Sequence, residues 1–218
     1  MKKIWNYVSV KGRAFFTTKQ MISAVTIAVG LFHVGLLLLF VWSKVLPLVL
    51  VNIASIIIYI LCYEYVRKEK SLLVVFNTMY MEILIHSVVA TILMGSESGF
   101  MLYMVAILPL GYYASYSLSS EKKYINPMQY VIVTALSFFV TKVLCRFVGP
   151  YYEYGNYLVE RFMYIINYFI VVIAVVAFCS TVLRQVLYLE EQHLVQNRKL
   201  EELSKIDPLT GLTNRRSV

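Results

Sequence analysis

The chain has 218 residues, of which 60% are hydrophobic and 15% are charged, and its formal net charge is +8. This composition excludes an ordinary soluble domain and places the chain among membrane proteins. The positive charge does not imply nucleic acid, because most basic residues flank apolar stretches, where they signal membrane topology and attract anionic lipid head groups.

The first twenty residues form a basic segment ahead of the apolar stretches. Trp5, Phe15 and Phe16 lie among lysines and an arginine there, a pattern typical of a short helix at the membrane interface. A cleaved signal peptide is not expected, because the apolar run begins late, is long enough to span, and has no clear small-residue cleavage site.

Six stretches are apolar enough to cross a bilayer, whose core of about 30 Å requires roughly 20 residues per helix. They cover residues 24 to 42, 45 to 63, 72 to 94, 98 to 118, 128 to 148 and 162 to 182. Pro109 is expected to kink the fourth helix, because proline has no backbone N–H to donate. Tyr59, Tyr63 and Tyr65 are interpreted as interfacial anchors near the end of the second helix. The predicted fold is therefore an all-α, multi-pass membrane protein.

The basic residues predict the orientation of these helices. Ten lysines and arginines precede the first predicted helix or follow the second and the fourth, whereas three flank the helices on the opposite side. Because cytoplasmic loops retain lysine and arginine, both termini are expected in the cytoplasm.

The third predicted helix contains the strongest candidate site. Glu82 and His86 are four residues apart, so their side chains project from one helical face near the bilayer centre. His33 lies at a similar depth in the first helix, and Asn52 and Asn77 are candidate partners. Ionisable groups inside a membrane are costly and usually face a bundle interior, so this cluster is a candidate ligand-binding site.

Three interpretations of the candidate cluster stay open. The polar residues could hold the helices together, they could bind a small molecule through Glu82 and His86, or the histidines and the carboxylate could ligate a transition metal or haem. The sequence assigns no catalytic residue, no metal and no cofactor to this region.

Residues 184 to 206 form a charged helix after the last apolar stretch. Apolar residues recur there in alternating steps of three and four, which is the pattern of a parallel coiled coil and predicts a homodimer. The seam residues of this signalling coil are Val186, Leu189, His193, Gln196, Leu200 and Leu203. His193 and Gln196 interrupt the apolar seam, and polar residues at such positions cost stability while fixing or switching register.

The chain ends in the run DPLTGLTNRR, which resembles the opening motif of GGDEF domains, the bacterial diguanylate cyclases that condense two GTP molecules into cyclic di-GMP. The matching residues are Asp207, Leu209, Thr210, Gly211, Leu212, Asn214 and Arg215. The resemblance covers about ten positions. It implies that the metal-binding carboxylates, the guanine contacts and the GGDEF loop follow Val218. Mg²⁺ and GTP are therefore expected only for that missing domain, and these 218 residues by themselves should be inactive.

With this resemblance, the sequence predicts four segments: a cytoplasmic basic segment (1 to 20), a six-helix transmembrane sensor (21 to 183), a signalling coil (184 to 206) and the beginning of a GGDEF domain (207 to 218). The predicted location is the bacterial inner membrane, with lipid, an unknown small molecule and a second copy as partners. The alternatives are a transporter or proton-coupled carrier, and a similar sensor that serves a histidine kinase.

Overall fold

The computed structural model describes residues 17 to 119, 125 to 148, 150 and 157 to 204, without the side chains of 157 to 160 and 202 to 204. The basic segment up to Phe16 and the DPLTGLTNRR motif lie outside the described residues. The described residues form helices and the turns between them, with no strand among them. They divide into two units, Thr17–Val175 and the part of the last helix from Val176 onward.

Seven α-helices follow one another in the described chain. They are α1 (Thr18–Trp42), α2 (Leu46–Arg67), α3 (Leu72–Met94), α4 (Met101–Ala106), α5 (Leu108–Ser117), α6 (Met128–Val148) and α7 (Tyr157–Ser204), with a short 3-10 helix at Ser96–Ser98. Five of these, α1, α2, α3, α6 and α7, are long and apolar enough to cross a membrane. The all-α class is thus confirmed, and five of the six predicted spans are helices of sufficient length and hydropathy to cross a membrane.

The fourth predicted span, 98 to 118, is broken rather than continuous. Gly95 and Gly99 have backbone φ angles of 90° and 85° and frame the turn before α4. The second break lies at Ile107, between α4 and α5, where Pro109 is the second residue of the new helix. Because proline cannot donate to the carbonyl four residues earlier, the helix restarts there. Ile107 itself keeps a right-handed helical backbone and bonds the Tyr103 carbonyl, so the helix is interrupted for one residue, next to the expected kink at Pro109.

Helices α3 and α6 run in the same direction. The Tyr80 hydroxyl lies 2.7 Å from Thr134 Oγ1, and about three turns further along both helices the Cys145 thiol lies 3.7 Å from the Thr91 carbonyl oxygen. The chain between two parallel helices has to return along their length. The segment that returns is the pair α4 and α5.

Core packing gives α4 and α5 the opposite direction to α3. Phe100, just before α4, belongs to the same buried cluster as Met94 at the end of α3. Ala114 of α5 belongs to the same buried cluster as Phe76 in the first turns of α3. Together the two short helices therefore extend from one end of α3 to the other.

The first part of α7 is tied to the turn that follows α3. Asn167 donates a hydrogen bond of 2.8 Å to the Ser98 carbonyl oxygen and accepts one of 2.9 Å from the Tyr103 hydroxyl. A Cβ atom on Gly99 would lie 3.2 Å from both Tyr164 Cα and Asn167 Cβ, so this close approach favours glycine. The start of α7 therefore packs beside the end of α3.

Two helix ends have the same capping arrangement without glycine. Lys44 follows α1 with φ of 58° and Glu69 follows α2 with φ of 57°. In the first motif the Val45 N–H bonds the Phe40 carbonyl at 3.1 Å and the Lys44 N–H bonds the Val41 carbonyl at 3.2 Å. This is the Schellman pattern, in which glycine is preferred at the left-handed position.

Glu69 also forms an ion pair that links the α2–α3 turn to the beginning of α1. The Lys19 ammonium lies 2.8 Å from Glu69 Oε1. The hydrogen bond from Lys19 and its positive charge hold the pKa of the Glu69 carboxyl below its usual range. Both side chains are exposed, so this pair orients the turn and contributes little to stability.

Replacing Lys44 by glycine should stabilise the protein, because glycine adopts a positive φ without the penalty of a Cβ atom. We expect the free energy of unfolding in detergent micelles to rise by about 1 kcal/mol. The control is Lys44→Ala, which removes the same exposed side chain but keeps the Cβ atom. Equal stability of Lys44→Gly and Lys44→Ala would contradict this account of the turn.

Candidate functional site

The candidate site lies among α1, α2 and α3, near the middle of each helix. His33 comes from α1, Asn52 from α2, and Glu82 and His86 from α3, and all four side chains are buried. Glu82 and His86 share a face of α3, because four residues amount to slightly more than one helical turn. The structure thus brings four of the five candidate residues together.

The Glu82 carboxylate is the centre of the site and is only 7% exposed. It accepts a hydrogen bond of 2.5 Å from the Ser55 hydroxyl and one of 2.7 Å from the Tyr59 hydroxyl. The Nε2 atom of His33 lies 3.4 Å from Glu82 Oε2, and the Nδ1 atom of His86 lies 3.8 Å from Glu82 Oε1. Groups from three helices therefore surround one buried carboxylate.

Asn52 fixes the orientation of the His33 ring. The Asn52 side-chain amide N–H₂ donates to the backbone carbonyl of His33, which leaves Asn52 Oδ1 as an acceptor 2.8 Å from His33 Nδ1. Since the amide oxygen can only accept, His33 Nδ1 is the donor and carries a proton. The other ring nitrogen, Nε2, is the one that faces Glu82.

His86 is less well bonded than His33. Its Nδ1 atom lies 3.4 Å from Ser55 Oγ, but that hydroxyl already donates to Glu82 at a shorter distance. Its Nε2 atom has no hydrogen-bond partner within the described part of the chain, although the residue is only 5% exposed. Buried polar atoms in native proteins are nearly always paired, so His86 has unused binding capacity.

Asn77 does not belong to the cluster, which corrects the prediction that it converges with the other four residues. Its side chain is exposed and accepts a hydrogen bond of 2.7 Å from the Tyr130 hydroxyl of α6. Asn77 and Glu82 are five residues apart, which places them about 140° apart around α3. Asn77 and Glu82 thus lie at a similar depth but on different faces of α3.

Sequence reasoning missed Ser55 and misinterpreted Tyr59. Tyr59 was expected at the membrane interface, yet it is 2% exposed and its ring stacks on His33 with centroids 5.2 Å apart. The available signal was spacing, because Asn52, Ser55 and Tyr59 are separated by three and four residues and hence line one face of α2. Gly30 of α1 allows this contact, since a Cβ atom there would lie 3.3 Å from Tyr59 Cβ.

The site combines one carboxylate with two imidazoles. One ligating atom from each of His33, Glu82 and His86 lies within 4.8 Å of the other two. Such a set is able to hold a cation, or a ligand that offers N–H or O–H groups to the carboxylate. Binding by these residues stays a prediction.

No protein-family model, curated protein or solved structure matches the chain. The interpretation of the site therefore depends on its own geometry.

Removing the Tyr59 hydroxyl should destabilise the protein, because the buried carboxylate loses one of its two hydroxyl donors. For Tyr59→Phe, which retains the stacked ring, we expect the free energy of unfolding in mixed micelles to fall by about 1 to 2 kcal/mol. Tyr63→Phe is the matched control, since Tyr63 lies one turn further along α2 and is exposed. Equal effects of the two substitutions would show that the hydrogen bond to Glu82 contributes nothing.

Proposed function

We propose that this chain is the transmembrane sensory input and dimerisation region of a bacterial diguanylate cyclase. In this proposal a ligand binds among the membrane helices and controls cyclic di-GMP synthesis by a GGDEF domain that follows Val218. The observation that carries the proposal is the position of the DPLTGLTNRR motif, which begins three residues after the end of α7.

Helix α7 supports this proposal because it continues without a break from the last predicted span into the predicted coil. Its 48 residues include the sixth predicted apolar stretch, 162 to 182, and continue through most of the predicted coil to Ser204. A displacement of α7 in the membrane would therefore act directly on the segment before the motif. A flexible linker would not transmit such a displacement.

The parallel course of α3 and α6 supports six crossings in total. If α4 and α5 together make the fourth crossing, the start of α1, the α2–α3 turn, the start of α6 and the predicted coil all lie on one side, which the basic residues assign to the cytoplasm. This arrangement agrees with the excess of basic residues on that side. In the proposed topology the motif would lie in the cytoplasm, where GTP is present.

The buried cluster supports a role in sensing, because contacts connect it to α7. The ring of Phe32, next to His33, lies 6.1 Å from the His33 ring and 5.7 Å from the Tyr103 ring. The Tyr103 hydroxyl in turn bonds Asn167 of α7 at 2.9 Å. In the proposed mechanism, a ligand at Glu82 shifts these side chains and thereby α7.

The predicted coil supports control through dimer geometry. According to the resemblance, a GGDEF active site forms between two domains that each bind one GTP. Val186 and Leu200 of the seam are 53% and 63% exposed in the single chain, so they are accessible to a second copy. His193 and Gln196 are exposed as well and would interrupt the apolar seam between two helices.

Transport is the second candidate, and the interruption at Pro109 is the observation that favours it. Broken helices line the substrate site in many carriers, usually as a pair in corresponding halves of the protein. Here the polar cluster lies among the continuous helices α1, α2 and α3, and Ile107 at the break belongs to an apolar core cluster. Uptake of a solute into liposomes that is lost in Glu82→Gln would favour transport over sensing.

The proposed mechanism is tested by joining residues 1 to 206 to a GGDEF domain that is active only as a dimer. Cyclic di-GMP is then measured by mass spectrometry. We expect synthesis by the fusion, and a several-fold change in rate when His193 and Gln196 are both replaced by leucine, because a continuous apolar seam favours one register.

The matched control replaces Gln192 and Asn197 by leucine, since both residues are exposed and lie outside the seam. This variant should synthesise cyclic di-GMP at the rate of the unmodified fusion. A monomeric fusion, or equal rates in both double variants, would contradict control through the coil.

A further inference from the structure

We propose that His33, Glu82 and His86 bind one divalent first-row transition-metal ion. Its role as the signal rests on the proposed sensory function, whereas the binding itself does not depend on that function.

The distances within the site match the size of a metal ion. Imidazole nitrogens and carboxylate oxygens lie about 2.0 to 2.1 Å from Zn²⁺, so two ligands of a tetrahedral ion are about 3.3 Å apart. His33 Nε2 and Glu82 Oε2 are 3.4 Å apart, and His86 Nδ1 and Glu82 Oε1 are 3.8 Å apart. Since the three ligating atoms lie within 4.8 Å of one another, small side-chain rotations would complete the site.

The hydrogen bonds behind His33 and Glu82 have the arrangement that is usual around a metal. Metal-ligating histidines donate their second ring N–H to an acceptor that fixes the tautomer, and ligating carboxylates are themselves hydrogen-bonded. His33 donates from Nδ1 to Asn52, and Asn52 is held by the His33 backbone carbonyl. Glu82 accepts from Ser55 and Tyr59. Nε2 of His33 is therefore directed at the site with its orientation fixed.

A purely structural role for the cluster explains less of this geometry. A direct N–H···O bond between an imidazolium and a carboxylate is about 2.7 to 2.9 Å long. Both histidine–Glu82 distances exceed that range, and Ser55 and Tyr59 already supply the carboxylate with donors. Without an ion, the cluster stabilises His86 little, because neither of its nitrogens makes a short hydrogen bond within the described residues. A bound ion would give His86 Nδ1 a strong partner, and the ring proton would then be on Nε2.

The ligand set selects the class of metal. Two imidazoles and one carboxylate suit zinc and the other late first-row ions, whereas calcium and magnesium prefer oxygen ligands alone. Three protein ligands leave at least one coordination position for water or an exogenous ligand. Cys62 is buried on α2 but does not belong to the set of three.

The test uses the purified 218-residue chain in detergent, stripped with a chelator and then dialysed with zinc alone. We expect about one zinc per chain by elemental mass spectrometry. The zinc content of His86→Ala and Glu82→Gln should fall to background. Asn52 is a positioning residue, so for Asn52→Leu we expect cobalt, followed by its visible absorption, to bind roughly 10- to 100-fold more weakly.

Two variants control for metal bound elsewhere and for altered packing. His193→Ala removes an exposed histidine from α7, and Asn77→Ala removes a polar residue of α3 that lies outside the cluster. Both should retain one zinc per chain. Equal zinc in His86→Ala and the unmodified chain, or no zinc in the unmodified chain, would overturn the inference.

A measurement on the unmodified protein covers the case in which the variants do not fold. X-ray absorption of the zinc-loaded chain should give a shell of nitrogen and oxygen ligands that includes two imidazoles. A sulfur ligand or a single imidazole would overturn the assignment. So would a haem that purifies with the chain and is lost in His86→Ala.

The failure of this inference can be distinguished from failure of the proposed function. If the GGDEF fusion synthesises cyclic di-GMP in a register-dependent way while the chain binds no zinc, only the metal assignment fails. If zinc binds at the three residues while the fusion is inactive, only the cyclase assignment fails.

Discussion

The burial of the Glu82 carboxylate in the middle of a membrane helix is the constraint on which the arrangement of α1, α2 and α3 depends. A charged residue at the bilayer centre costs at least about 2.5 to 3.5 kcal/mol unless polar groups meet it. The nearby polar groups come from three helices: His33 from α1, Ser55 and Tyr59 from α2, and His86 from α3 itself. Separating any of these helices would leave the carboxylate or its donors in an apolar environment. The cluster therefore fixes both the depth and the rotation of the three helices.

The remaining helices are positioned by backbone features and by a second polar contact. The turn at Gly95 and Gly99 ends α3 and reverses the chain, and the interruption at Ile107 divides the returning segment. Asn167 then connects α7 to the Ser98 carbonyl. In an apolar surrounding an unpaired amide is costly, so this contact holds α7 against the end of α3.

The sequence predicted much of the fold, because helices that cross a membrane need long apolar runs, and such runs are visible without knowledge of the packing. It did not predict that residues 98 to 118 form two short helices. The average hydropathy of a stretch is the same whether its hydrogen bonds are continuous or interrupted. Pro109 indicated a kink, but the degree of bending depends on whether neighbouring side chains fill the gap.

The residues of the site could be predicted where the residue type and its position on the helix both indicated the cluster. Residues for which only one of these signals was present were predicted less well. Glu82 and His86 are unusual in a membrane helix and share a face, so the sequence indicated both. Asn77 has the right depth but the wrong face. Tyr59 resembles the many tyrosines that anchor helix ends, and only its spacing from Asn52 distinguishes it. Asn167 gave no local signal, because its partner is a backbone carbonyl 69 residues earlier in the chain.

In the proposed sensory function, a ligand at Glu82 would change the output only if it bound two arrangements of the helices with different affinity. A tenfold change in the balance of two arrangements requires about 1.4 kcal/mol, which is comparable to one or two hydrogen bonds. A contact of this size could form at His86, because its nitrogens are poorly bonded within the described residues. Asn167 contacts the same group of helices and belongs to α7, which continues into the predicted coil. In the proposed function, a small adjustment of α1, α2 and α3 around a ligand would therefore supply enough free energy to change the position of α7. The contacts through Tyr103 and Asn167 would transmit this adjustment to α7.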